Sequence, residues 1–158
     1  MFHVSPTPLP SNYVLQPGSW GTKLKTILTT GNQSTISSTL FWEMALETAR
    51  YQIDPFLPSR LNCVFLSQSM DDAVGFRDQF RPGGHIYEVE MMDDVPFHRG
   101  DFSLLSYNSP NVSFLDFMPQ FCIRYWTEQP SGIVEVIYPG RAKIVGQVDE
   151  PQHALTPP

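Results

Sequence analysis

Two polar side chains sit where strand-forming apolar residues would be expected. His3 lies in Phe2-His3-Val4-Ser5-Pro6, and Glu135 lies in Ile133-Val134-Glu135-Val136-Ile137. Strand side chains alternate between two faces, so Glu135 shares a face with Ile133 and Ile137, while Val134 and Val136 point the other way. A carboxylate on such a face needs a partner or a ligand. His3 is either a core imidazole bonded to a backbone carbonyl or a group placed to touch a ligand. Glu135 is either ligand-facing or an edge-strand acid facing water. Arg60, Arg77, Arg81 and Arg99 flank the middle segments, where a few of them can gather around a phosphate; each is equally readable as a solvated surface residue. The four histidines are scattered without metal-ligand spacing.

The elements that must position these groups are short, because fifteen prolines cut up the chain. A first strand covers Met1–Ser5. Pro6–Gly21, rich in Pro, Ser and Gly, reads as an irregular loop that carries the aromatics Tyr13 and Trp20. A helix over STLFWEMALETARYQ follows, with Ser37 or Ser38 as cap and Pro55 and Pro58 as stops. Leu40, Phe41, Met44, Ala45, Thr48 and Tyr51 have the spacing of its buried face. Leu61–Ser67 is a strand. Ser69 with Asp71 and Asp72 caps a helix from Met70 to Phe80, which Pro82-Gly83-Gly84 ends. His85–Met91 alternates as a strand, and Met92–Asn111 is a second loop. Phe114, Phe117, Met118, Phe121, Cys122 and Tyr125 have helical spacing, with Pro119 tolerated near the helix start. Gly132–Tyr138 and Ala142–Val148 are final strands joined by a Pro139-Gly140 turn. This order predicts a single α+β domain over residues 1–150, with a mostly antiparallel or split sheet, and a disordered tail at 151–158.

Composition narrows the function classes. A chain of 158 residues with 41% hydrophobic and 13% aromatic content is expected to fold as one globular domain. No apolar run reaches the roughly 18 residues that span a bilayer, and only two residues precede His3, so a soluble, cytoplasmic protein without membrane contact is expected. A formal charge of −6 argues against bulk nucleic-acid binding. Cys63 and Cys122, both in apolar stretches without CxxC spacing, read as reduced core thiols.

The segment from Cys63 to Glu90 combines a short strand, a Ser-capped acidic helix, a Gly-rich turn and HIYEVE. It resembles the middle of the rifampin ADP-ribosyltransferase-like proteins. FHVSP resembles the first strand of the same wider fold, and GRAKIVGQVDE is similar to its closing strand. The likeness extends to the strand that carries the catalytic glutamate in DNA- and protein-modifying ADP-ribosyltransferases, through IVEVI. The resemblance implies a compact ADP-ribosyltransferase-like split antiparallel sheet with helices packed on it. It implies cleavage of the glycosidic bond of NAD, release of nicotinamide and transfer of ADP-ribose to an acceptor, which is a protein, a nucleic acid or a small molecule. Through an oxocarbenium-like transition state, a carboxylate stabilises the sugar and activates the acceptor; Glu135 is the residue it implies, with Glu128, Asp101, Asp93 and Asp94 as other positions for the acid. The resemblance implies the remaining roles as well: His3 is the ribose-binding and catalytic first-strand histidine, with Val4 and Ser5 beside it. Phe65, where the family often has Tyr, or else Tyr13, packs on nicotinamide. Ser67 lines the cofactor site and Arg60 reaches the diphosphate. Relatives also include RNA 2′-phosphotransferases and NAD glycohydrolases, and a domain with a degraded cleft would serve only as a binding module. The resemblance leaves the setting open between a toxin, a phage protein and a drug-modifying enzyme.

Overall fold

The computed structural model describes residues 1–30, 38–106 and 112–149. The expected tail at 151–158 and the expected cap at Ser37 lie outside the described residues. The described part is an α+β domain: seven strands in one sheet, all neighbours antiparallel, with four helices. No helix among the described residues is long and apolar enough to cross a membrane.

The strands are β1 (Phe2–Ser5), β2 (Val14–Leu15), β3 (Val64–Ser67), β4 (His85–Met91), β5 (His98–Asp101), β6 (Val134–Tyr138) and β7 (Ala142–Asp149). Their spatial order is β2-β7-β4-β1-β3-β6-β5. The chain's first strand is therefore the central one. On one side β1 pairs with β4 along its full length, from Phe2↔Glu88 to Ser5↔His85. On the other side it meets β3 through the single pair Phe2↔Ser67. The ladder parts at that point and divides the sheet into halves β2-β7-β4-β1 and β3-β6-β5.

Side chains from both halves meet again on one face, where Val64, Leu66, Val136 and Tyr138 join Tyr87, Val89, Ala142 and Ile144 in one buried cluster. The opposite face of the β3-β6 half packs under α2 (Ser38–Ile53) and α4 (Phe114–Thr127), with Trp42, Leu46, Cys122, Tyr125, Trp126 and Ile137 at its centre. α3 (Met70–Phe80) starts at a Ser69 capping box, in which Ser69 and Asp72 satisfy each other's backbone N–H groups.

The structure corrects the sequence reading in five places. The expected strand Leu61–Ser67 begins only at Val64, because Leu61 and Asn62 lie in a 3-10 turn capped by Ser59. Pro6–Gly21 is not all loop: it holds β2 and the first residues of α1 (Ser19–Thr30). Gly21 breaks the helical pattern for a packing reason, because the Leu61 carbonyl lies where its Cβ would be. The loop at 92–111 contains β5, whose HRGD sequence has no strand-forming residue and whose extended shape comes from pairing with β6. α2 buries Trp42, Leu46 and Ala49, while Phe41, Met44 and Tyr51 are 58%, 61% and 68% exposed. The helix has apolar residues on both sides, and its buried charges Glu43 and Arg50 hide the true inner face from a hydrophobicity count. Finally, β6 and β7 do not pair as a hairpin. The turn after Tyr138 carries the chain across to β4, and the Tyr138 hydroxyl fixes that crossing by accepting from Asp93 N–H at 2.8 Å and donating to Asp93 O at 2.7 Å.

Gly100 of β5 stands opposite Glu135 in the register, and the Tyr125 ring fills the space of its missing Cβ. Gly100→Ala should therefore lower stability by about 1–3 kcal/mol through overpacking. Urea unfolding checks this, and an unchanged midpoint would show that the ring moves aside freely.

Candidate functional site

The parting between β1 and β3 opens into a cleft of about 850 Å³. β1 and the residues after it, α1, α2, β3, α3 and the start of β6 with Ile133 before it all contribute to its walls. Six aromatic rings border it: Trp20, Trp42, Phe65, Phe76, Phe80 and Phe102. The last three stack edge-on or tilted against one another with centroids 4.8–5.5 Å apart.

His3 spans the parting. Its Nδ1 lies 3.0 Å from the Phe65 carbonyl, which can only accept, so Nδ1 carries the proton. Burial lowers the imidazole pKa from its ordinary value, and the bond to Phe65 only partly opposes this. The ring is then neutral and Nε2 is an unprotonated acceptor. The imidazole makes the backbone bond expected of a core histidine, and it also lines the cleft.

Glu135 lies on β6 opposite Ser67 of β3, with 8% of its surface exposed, and lines the same cleft. Its Oε2 accepts from the Tyr125 hydroxyl at 2.7 Å and forms a close ion pair with Arg60 Nη1. Among the described residues no side chain or N–H donates to its Oε1. Burial raises the Glu135 pKa above the usual carboxylate value, opposed by Arg60 and by the Tyr125 bond. Glu135 faces neither water nor an empty cavity alone: it ends a buried ion network.

Arg60 is the centre of that network. It follows the Ser59 cap of a short 3-10 turn, Arg60–Asn62, and is itself buried. Its Nε and Nη2 donate to Glu43 at 3.0 Å each, and its Nη1 donates to the Tyr125 hydroxyl at 2.6 Å and to Glu135. Four of the five guanidinium N–H groups are thus taken. Burial alone would lower its pKa; the carboxylates of Glu135 and Glu43 and the Tyr125 hydroxyl outweigh that and hold it well above the ordinary value. The guanidinium also stacks on Phe65, 4.8 Å from the ring centroid. Arg60, expected to reach a diphosphate, lines the cleft but is paired with these partners rather than solvated. Among the described residues, the cations bordering the cleft without a carboxylate partner are Lys23 and Arg81.

Of the other expected site residues, Val4, Phe65 and Ser67 line the cleft. Ser5 is buried and donates from Oγ to the Thr7 carbonyl at 2.6 Å. Tyr13 is 47% exposed and sits beside β2 at the far edge, where its backbone bonds Ile144, so it is apart from the cleft. The other positions considered for the acid have structural employment. Asp101 accepts from the backbones of Ser103, Ser131 and Gly132 at 2.9 Å each, and these bonds outweigh burial to hold its carboxyl below the usual range. Glu128 pairs with Arg124, and Asp93 pairs with Arg141, both at the surface. Asp94 is exposed. Among the described residues only Glu43 and Glu135 bring carboxylates to the cleft wall. Sequence reasoning missed Glu43, Tyr125 and Trp20. Trp20 borders the cleft with an indole N–H that is buried and has no partner among the described residues. Glu43 was detectable as a charge within the apolar run LFWEMAL.

The fold and the site thus define an α+β domain with a parted antiparallel sheet and a cleft at the parting. The family model described as "Protein of unknown function (DUF2441)" matches residues 21–150, and the chain belongs to that family. The matched stretch runs from α1 through β7 and so includes Glu43, Arg60, Tyr125 and Glu135. No curated protein matches the chain.

Arg60→Ala would leave two buried carboxylates without a counter-ion, at a cost of about 3–5 kcal/mol. Without Arg60, the folded-state pKa of Glu135 rises further above its unfolded value, so the folded state binds the proton more tightly. The variant should then gain stability as pH falls from 7 toward 5, through that raised midpoint. Urea unfolding at the two pH values tests this, and equal or greater loss at pH 5 would contradict it.

Proposed function

We propose that the protein is an NAD-dependent ADP-ribosyltransferase, which moves ADP-ribose from NAD to an acceptor and releases nicotinamide. The observation that carries this reading is the convergence of His3 and Glu135, from strands 132 residues apart in the sequence, on the one cleft at the β1–β3 parting. A cleft of about 850 Å³ walled by aromatic rings with a few convergent polar groups suits a dinucleotide.

The roles follow from the atoms available. His3 Nε2 accepts a hydrogen bond from a ribose hydroxyl. The aromatic walls hold the two base rings, and Phe65, already backed by Arg60, offers its other face to nicotinamide. Lys23 and Arg81 supply positive charge for the diphosphate, and the unpartnered Trp20 N–H supplies a donor. As the bond from the nicotinamide nitrogen to ribose C1′ breaks, its electron pair leaves with neutral nicotinamide and C1′ becomes electron-poor. The Glu135 carboxylate stabilises that charge and takes the proton of the acceptor nucleophile as it attacks C1′. Arg60 and Tyr125 favour the ionised form that both roles require.

A binding module is the second reading. It draws on Phe65, which lacks a hydroxyl, and on the tight ion pair that holds Glu135. Incubation with NAD labelled separately in nicotinamide and in the adenylate phosphate distinguishes the two. Nicotinamide release, with or without adenylate label on an acceptor, is expected; saturable NAD binding without release would favour the module. Glu135→Gln should reduce turnover by about 10²–10³-fold. His3→Ala should raise KM with less effect on kcat, and NAD affinity of the parent should fall as acid protonates His3 and removes its acceptor. Unchanged turnover in Glu135→Gln would remove the proposed reaction.

A further inference from the structure

Glu135 is held directly by Arg60 and by Tyr125 of α4, and through Arg60 it is linked to Glu43 of α2, which touches neither Glu135 nor any reacting atom in the reaction described above. We infer that Glu43 and Tyr125 are positioning residues that set the orientation and charge of Glu135 through the shared guanidinium of Arg60, an inference that rests on Glu135 being the reacting carboxylate.

The geometry is specific. Glu43, from α2, takes the Nε and Nη2 edge of the guanidinium, and this turns Nη1 toward β6. There Nη1 serves both the Tyr125 hydroxyl from α4 and Glu135. Tyr125 accepts from Arg60 and donates its own hydroxyl hydrogen bond to the same Glu135 oxygen that Arg60 binds. Both constraints fall on Oε2. The second oxygen is left for the cleft. The guanidinium plane is fixed by the Phe65 and Tyr125 rings, with centroids 4.8 and 5.3 Å away. Only a planar fork can meet all these partners, so a lysine at position 60 would not replace it.

The two positioning residues act on the Glu135 charge with opposite sign. Glu43 adds negative charge, which disfavours ionisation of Glu135, whereas the Tyr125 bond favours it. Burial and hydrogen bonding also move the titration of neighbouring groups. Burial keeps the Cys63 thiol neutral and pushes the Cys122 thiol up to about 12. His3 and His98 are held neutral by burial, with lowered pKa values. Asp101, fixed by its donors, stays ionised. A merely structural network would lose stability on mutation without this paired, opposite response.

The test is a carboxyl-carbon NMR titration of the full chain labelled in glutamate, with the Glu135 signal assigned by its loss in Glu135→Gln. Glu43→Gln should lower the Glu135 midpoint and Tyr125→Phe should raise it, each by about one pH unit. The acid limb of NAD turnover should move in the same two directions. Shifts of the same sign, or midpoints unmoved within about 0.3 unit, would overturn the inference. Should Tyr125→Phe fail to unfold cooperatively, Glu43→Gln alone decides by the same criterion. If the midpoints move as expected and the parent consumes no NAD, the transferase reading fails while the control of Glu135 stands. If NAD is consumed and the midpoints stay put, the reverse holds.

Discussion

One buried arginine shared between two carboxylates organises the helical side of this domain. Arg60 ties α2 to β6 through Glu43 and Glu135, and ties both to α4 through Tyr125. Burying three charges costs several kcal/mol per ion before pairing, and the arrangement offsets this by engaging four of the five guanidinium N–H groups. Apolar side chains of similar size would pack the same space at less cost. What the ionic version supplies is direction: the guanidinium accepts one arrangement of its neighbours and rejects others. That makes the position of Glu135 a property of four elements rather than of one strand.

The parting of the sheet has a comparable logic. β1 is fully paired with β4 and barely paired with β3, so the backbone groups of β3 near the gap need other partners. The His3 imidazole supplies one by donating to the Phe65 carbonyl. A side-chain bond thus replaces a ladder bond, at a point where continued pairing would have closed the cleft. The rings of Phe76, Phe80 and Phe102 line the opening and keep it apolar.

Much of this was legible in the sequence, for physical reasons that differ by element. α3 and β4 were readable to the residue, because a capping box and a clean alternation are local signals. His3 and Glu135 stood out because charge or polarity on an apolar strand is expensive. The buried face of α2 was misread, since Glu43 and Arg50 are polar residues that point inward and Phe41 and Tyr51 are apolar ones that point out. β5 and α1 take their form from partners remote in the chain, β6 and the Arg60–Asn62 turn, so no local pattern announces them. The function of Arg60 was missed for the same reason: its partners lie 17 and 75 residues away.

The central place of β1 has a consequence for how the molecule assembles. Its strand partners begin more than sixty residues later, and β4 in turn is completed by β7, still further along. Pairings of such long range are slow, because loop-closure entropy is lost before any contact compensates for it. β1 must therefore wait, with Phe2 and Val4 unpaired, until its partners in β3 and β4 have been synthesised. During that interval it is an apolar strand with two free edges, the kind of segment that recruits chaperones or pairs with a neighbour.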